Sequence, residues 1–142
     1  MPSARDCPCC SGAPYKTCCE PLHRGAREAA DATALMRSRY AAFAKREVEY
    51  LWRTLHPEHE DRALPKEAVL ASLRASCDGR KFMGLTIIDS SPPDADGVAR
   101  VRFRAKIFER GKDRSFTELS EFMHDGVGFR YLRGEIEQAE IA

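Results

Sequence analysis

No run of about 18 consecutive apolar residues occurs anywhere in the 142-residue sequence, so a membrane-spanning helix is not expected. Behind Met1-Pro2-Ser3-Ala4-Arg5-Asp6 there is no apolar core of a signal peptide, and the expected location is the cytoplasm. Net charge is also scarce. Twenty-three basic side chains against 22 acidic ones leave +1, so the whole molecule is not a polyanion binder by charge alone. A nucleic-acid case must rest on a local patch. Internal repeats and low-complexity tracts are missing, and outside residues 7–19 the only cysteine is Cys77. What is present, 43% hydrophobic and 32% charged residues, suits a soluble globular chain with one real core and a small appendage.

The appendage is written in cysteine. Five of the six fall within Asp6-Cys7-Pro8-Cys9-Cys10-Ser11-Gly12-Ala13-Pro14-Tyr15-Lys16-Thr17-Cys18-Cys19. A reducing compartment points such a cluster to metal before disulfide. Zinc takes four ligands in a tetrahedron and favours thiolates in structural sites. Cys7 and Cys9 can come from one tight turn, Ser11 to Pro14 can return the chain, and Cys18 and Cys19 can close the site. So short a segment has no core of its own, and the metal would supply its folding energy. A disulfide framework competes poorly, because a Cys18–Cys19 ring is strained. A reactive-thiol role stays open, as do Cys10 as a competing ligand and His23 in the fourth position, although spacing favours Cys19. Cys7, Pro8, Cys9, Ser11, Gly12, Tyr15, Cys18 and Cys19 resemble the SEC-C motif, the knuckle found at the C-terminus of the SecA translocation ATPase; Cys10 stands where that motif has Gly.

After the small-residue stretch from Gly25, Asp31 or Thr33 can cap a helix with Leu35, Met36, Tyr40 and Phe43 on one face. Val48, Leu51, Trp52 and Leu55 mark a second helix that Pro57 stops. Pro65 can open a third, striped by Val69, Leu70, Leu73 and Cys77, which makes Cys77 a core thiol. The period then changes to two. Strands are expected over 82–90, around Val101 to Ile107, over 115–124 and over 129–133, with turns at Pro92–Asp94, Asp96-Gly97 and Asp125–Gly128. Helices followed by consecutive strands predict an α+β fold.

Leu35-Met36-Arg37-Ser38-Arg39-Tyr40-Ala41-Ala42-Phe43, then Tyr50-Leu51 and Thr54-Leu55-His56-Pro57, is similar to the opening of the YchJ family, and Glu118, Ser120, Glu121 and Phe122 before Asp125-Gly126 match its last hairpin. The resemblance spans nearly the whole chain. It implies a SEC-C knuckle over 1–24 and, over 31–142, an NTF2-like (cystatin-like) cone of helices packed on a curved antiparallel sheet. NTF2-like sheets commonly pair face to face, which makes a homodimer the assembly to test.

Such a cone can hold a pocket, and the candidates for its polar groups are Tyr40, Tyr50, His56, Glu118, Ser120 and Tyr131. A His56–Glu118 pair could do acid–base work; the plainer expectation is that Glu118 pairs with Arg37 or Arg39 and that His56 merely ends a helix. His56, Glu58, His59, Glu60 and Asp61 read as a charged loop before a second metal site. Arg100, Arg102, Arg104 and Lys106 share one strand face, which could track a phosphate backbone but is more simply a solvent face paired with acids such as Glu109, Glu118 or Glu121. Three functions remain: an adaptor docking a protein partner through the knuckle around Tyr15 and Lys16, a small-molecule binder or enzyme using the cone, and a nucleic-acid or ribosome binder using Arg100 to Lys106.

Overall fold

Helix α2 (Ala32–Lys45) is the centre of the molecule, because every side of it is covered. A computed structural model describes residues 5–139. In chain order, a 3-10 turn (Tyr15–Thr17) and helix α1 (Glu20–His23) precede α2, and α3 (Val48–Arg53) and α4 (Lys66–Cys77) follow it. Strands β1 (Arg80–Ser91), β2 (Ala99–Glu109), β3 (Lys112–Asp113), β4 (Phe116–His124) and β5 (Phe129–Ala139) complete the chain. The sheet runs β1-β2-β4-β5, antiparallel throughout, with β3 pairing back onto β2.

Asp31 caps α2, its side chain accepting from the Ala34 N–H at 2.8 Å. At the other end Arg46 takes the left-handed conformation that closes the helix. Leu35, Met36 and Tyr40 of α2 face the sheet and join Val101, Phe103 and Phe122 in the main core. The alternation of β2 is clean: Val101, Phe103, Ala105 and Ile107 are buried, while Lys106 is exposed and Arg100, Arg102 and Arg104 are half-buried. Register shifts leave Met83 and Ile88 of β1 unpaired against β2, and Leu132 and Glu137 of β5 unpaired against β4, bulges that bend the sheet around the helices. The α+β cone expected from the family resemblance is therefore the fold.

Several boundaries differ from the sequence expectations. Pro65 stands just before α4, whose first residue is Lys66. The second helix ends at Arg53, short of Pro57, because Thr54 and Leu55 leave it to pair with β5: the Tyr131 N–H donates to Thr54 O and the His56 N–H to Tyr131 O, both at 2.8 Å. Strand β5 runs on past Arg133 to Ala139, and the two-residue β3 had no periodicity to announce it. The stretch from Gly25 is fastened down rather than loose. Glu28 pairs with the buried Arg130 at 2.8 Å, which Asp125 also holds at 3.0 Å. None of the helices among the described residues is long and apolar enough to cross a membrane.

Candidate metal centre and conical cavity

Residues 5–15 double back in a tight loop, with the Cys7 N–H on Ala13 O and the Tyr15 N–H on Arg5 O, both at 2.9 Å. Gly12, at φ +87°, supplies a backbone conformation that side-chain-bearing residues avoid. The loop and the first turn of α1 bring the sulfurs of Cys7, Cys9, Cys18 and Cys19 to within 4.8 Å of one another, an arrangement that can hold a metal ion. A tetrahedral zinc–thiolate site puts its sulfurs about 3.8 Å apart, given Zn–S bonds of roughly 2.3 Å. Here Cys9 and Cys18 are 3.5 Å apart and Cys18 and Cys19 3.8 Å. The donors thus fit the group chemically and in spacing.

Packed thiols cannot all ionise without a cation. Hydrogen bonds from Cys19 and then Cys7 hold Cys9 far below the ordinary thiol range, while Cys19, giving hydrogen bonds to Cys7 and Cys9 and then buried, is driven far above it.

Cys10 lies apart from the four, exposed, with its sulfur 3.4 Å from the Leu85 N–H of β1. Its φ of +66° is the left-handed region where glycine is at ease. Cys10→Gly is expected to keep full metal content and to raise stability by up to about 1 kcal/mol, relief of strain outweighing a weak N–H···S contact; metal analysis with urea denaturation checks both. His23 also lies apart. Its Nδ1 meets the Tyr15 hydroxyl at 2.7 Å and its Nε2 the Ser38 carbonyl at 2.8 Å.

The knuckle is welded to the body. Buried Ala41 of α2 packs directly against Cys7, Cys9 and Cys19. Arg37 donates to the Cys9 carbonyl at 2.7 Å, and Leu22 enters the main core. Tyr15 is turned inward, half-buried, with Lys45 4.6 Å above its ring and burial pushing its hydroxyl up to about 12. Lys16 remains exposed.

The second feature is a cavity of about 180 Å³ between α2 and the sheet. Of the candidate pocket residues, Tyr40, Glu118 and Tyr131 line it, together with Arg39, Phe103 and Phe116. Ser120, fully buried, stands behind Glu118 and donates to its Oε2, as does the Tyr131 hydroxyl at 3.2 Å. Hydroxyls, not Arg37 or Arg39, are what this carboxylate meets. Tyr40 keeps its ring in the wall while its hydroxyl accepts the Gly84 N–H at 2.9 Å. Burial pushes the Tyr40 and Tyr131 hydroxyls well above the ordinary range.

His56 is not in the cavity wall: its Nδ1 accepts the Glu58 N–H at 3.0 Å, a local turn. Tyr50 is also elsewhere, its hydroxyl 2.6 Å from Ser38 and its ring beside His23. Arg39, expected as an ion-pair partner of Glu118, instead ties α2 to α3 and to the Tyr131 ring. Its guanidinium donates to Leu51 O at 2.9 Å and Thr54 Oγ1 at 2.6 Å, and its centre lies 4.8 Å from the Tyr131 ring centroid. The available signal for that role was its place in α2, three residues beyond Met36 and one before Tyr40.

Two other candidates resolve simply. Among the described residues, the loop from His56 to Asp61 gathers no metal-holding group. The basic strand is largely neutralised: Arg100 pairs with Asp94 and Glu121 at 2.9 Å each, and Arg102 with Asp89 at 2.7 Å and Glu137 at 2.8 Å. Cys77 is buried in α4, and burial pushes its thiol up.

Comparison with known proteins agrees with this architecture. The family described as YchJ, middle NTF2-like domain, matches residues 31–134. A UPF0225 protein of Pectobacterium carotovorum is 38% identical over 134 residues, covering 92% of this chain and 83% of its own length. The UPF0225 protein YchJ of Shigella dysenteriae is 35% identical over 128 residues, covering 90% and 81%. The solution structure of a SEC-C motif containing protein from Rhodopseudomonas palustris superposes with a TM-score of 0.79 at 33% identity, over 93% of this chain and 98% of that one. A crystal structure of a SEC-C motif containing protein from Psychrobacter arcticus, 23% identical, shares the fold with a TM-score of 0.74 over 99% and 85%.

Proposed function

We propose that this chain, which belongs to the YchJ family of bacterial proteins, is a zinc-stapled binding protein whose conical cavity receives a small, largely apolar molecule. The observation that carries the reading is the cavity itself. A cleft of about 180 Å³ opens between α2 and the sheet, lined by side chains of both. Its walls are aromatic and aliphatic, with Glu118, Tyr131 and Arg39 gathered in one region and Arg80, paired with Glu109 at 3.2 Å, as a further charged lining residue. A few placed polar groups in an apolar cleft are the usual make-up of a ligand site.

Zinc is the metal this reading assigns to Cys7, Cys9, Cys18 and Cys19. Bound there, it would supply folding energy as a closed structural site, because four thiolates leave no coordination position for a substrate. Binding is favoured over turnover on two further grounds. Cys77, the only thiol outside residues 7–19, has its pKa raised rather than lowered. His56 spends its ring on a local turn, away from the Glu118 carboxylate.

Thermal unfolding of the metal-loaded chain against a panel of one-ring and two-ring apolar compounds tests the reading. Wild type should gain stability saturably with ligand concentration. Gly134→Ala should lose that response and about 1–3 kcal/mol of stability, since a new methyl there overlaps Glu118 Oε2 and the Tyr131 hydroxyl. No saturable gain in wild type with any compound would sink the pocket reading.

The adaptor function has a specific observation in its favour as well. A groove of about 490 Å³ follows the seam between knuckle and body, lined by Cys18, Leu22, Ala30 and Ala34 with Arg27 and Arg37. In this second reading a protein partner lies in that seam and meets exposed Lys16, the sequence neighbour of Thr17 in its lining, rather than the inward-turned Tyr15. Substitution of Lys16 would then weaken capture of the partner without changing the melting temperature.

A further inference from the structure

Resting on the reading of the cone as a binding cavity, we propose that its ligand is a neutral one-ring aromatic carrying a hydrogen-bond donor, of the phenol class, with the donor accepted by Glu118 Oε1. Size sets the first limit. An enclosed cavity of roughly 150 Å³ accommodates benzene, and the cleft here is about 180 Å³. One ring with a small substituent fills it.

The walls set the second. Phe103 and Phe116 meet edge to face with centroids 6.0 Å apart, and Tyr40 and Phe82 do the same at 5.8 Å. All four rings border the cavity, so a flat aromatic guest finds both faces and edges to pack against.

The polar region sets the third. Glu118 Oε2 takes both the Ser120 and the Tyr131 hydroxyl hydrogens. Glu118 Oε1 takes no hydrogen bond from any described residue. Two donors on one oxygen hold the carboxylate in place, and the bare backbone of Gly134 leaves room for it. The remaining oxygen can only accept, so an ether or a carboxylate on the ligand meets lone pair against lone pair. Arg39 excludes the other extreme. Its guanidinium borders the same cavity, where a second cation would meet like charge. A neutral O–H or N–H on an apolar ring is what these groups select.

The test uses the full, metal-loaded chain and four probes of similar size: phenol, anisole, toluene and benzylamine. Binding is followed by the NMR signals of Phe103 and Phe116. Phenol should bind at least about tenfold more tightly than the other three, the size expected for a hydrogen bond to a carboxylate. Glu118→Gln should let anisole bind as tightly as phenol, because the amide oxygen will take the Ser120 and Tyr131 donors and turn its NH₂ donor to the cavity. Should that variant fail to fold, the wild-type comparison decides alone. Equal affinity for phenol and toluene, or a preference for phenol over anisole that survives in Glu118→Gln, would overturn the donor assignment and leave the cavity reading standing. No shift at Phe103 or Phe116 with any probe would overturn both.

Discussion

Removing the metal with a chelator, or replacing Cys9 by Ser, is expected to melt residues 5–24 and to weaken the body by about 2–4 kcal/mol without unfolding its sheet. The first effect follows from scale. Ordering a residue costs about 1–2 kcal/mol of backbone entropy, and the knuckle's own buried cluster is little more than Cys7, Cys9 and Cys19 against Ala41. A segment this short takes its folding energy from the metal it binds. The second effect follows from the seam. Leu22 lies in the main core, and its exposure alone costs about 1.5–3 kcal/mol. The Arg37 bond to the Cys9 carbonyl and the His23 bond to the Ser38 carbonyl would also be lost. The shared core thus extends the penalty to the body. Amide hydrogen exchange resolves the two parts. Knuckle amides that stay protected in metal-free protein would contradict the account.

Arg39→Met is expected to cost roughly 3 kcal/mol, a large effect for a change that keeps an apolar stem. The side chain is only 5% exposed, and it joins three elements: α2 carries it, α3 and its C-cap receive its hydrogen bonds through Leu51 O and Thr54 Oγ1, and β5 presents Tyr131 to its face. A buried carbonyl left without its donor costs about 1–3 kcal/mol, and a desolvated cation–π contact adds up to about 2 kcal/mol. Thr54 is spared, since its hydroxyl also donates to the Tyr50 carbonyl at 2.8 Å. Urea denaturation measures the loss. A change below 1 kcal/mol would mean that Arg39 is a bystander in the cavity wall. Arg39→Lys should recover little, because an ammonium group cannot reproduce the planar fork or the stacking.

What could be read from the sequence was local, and what could not was shared between distant segments. The β2 alternation of Val101, Phe103, Ala105 and Ile107 is a period that one strand displays by itself, and the cysteine spacing is equally self-contained. The α2 helix was harder. Leu35, Met36 and Tyr40 announce one buried face, but Ser38, Arg39 and Ala41 are buried too, under α3 and the knuckle, and no periodicity records covers that arrive from other parts of the chain. The cavity divides the same way. Glu118 and Ser120 share a strand face that alternation reveals, whereas the departure of His56 depends on the pairing of Leu55 with Tyr131, a contact between segments 76 positions apart (131 − 55). The extension of β5 past Arg133 lay outside the expected strand, and Glu137 finds its partner, Arg102, on β2.

The central claim is that the cone keeps an apolar space open for a guest. Crystals of the metal-loaded protein under xenon pressure test it most directly, since xenon enters dry apolar cavities of this size. The account predicts a xenon site in contact with the rings of Phe103, Phe116 and Tyr131, which border the cavity. Side chains collapsed into that space, with no xenon between α2 and the sheet, would contradict it.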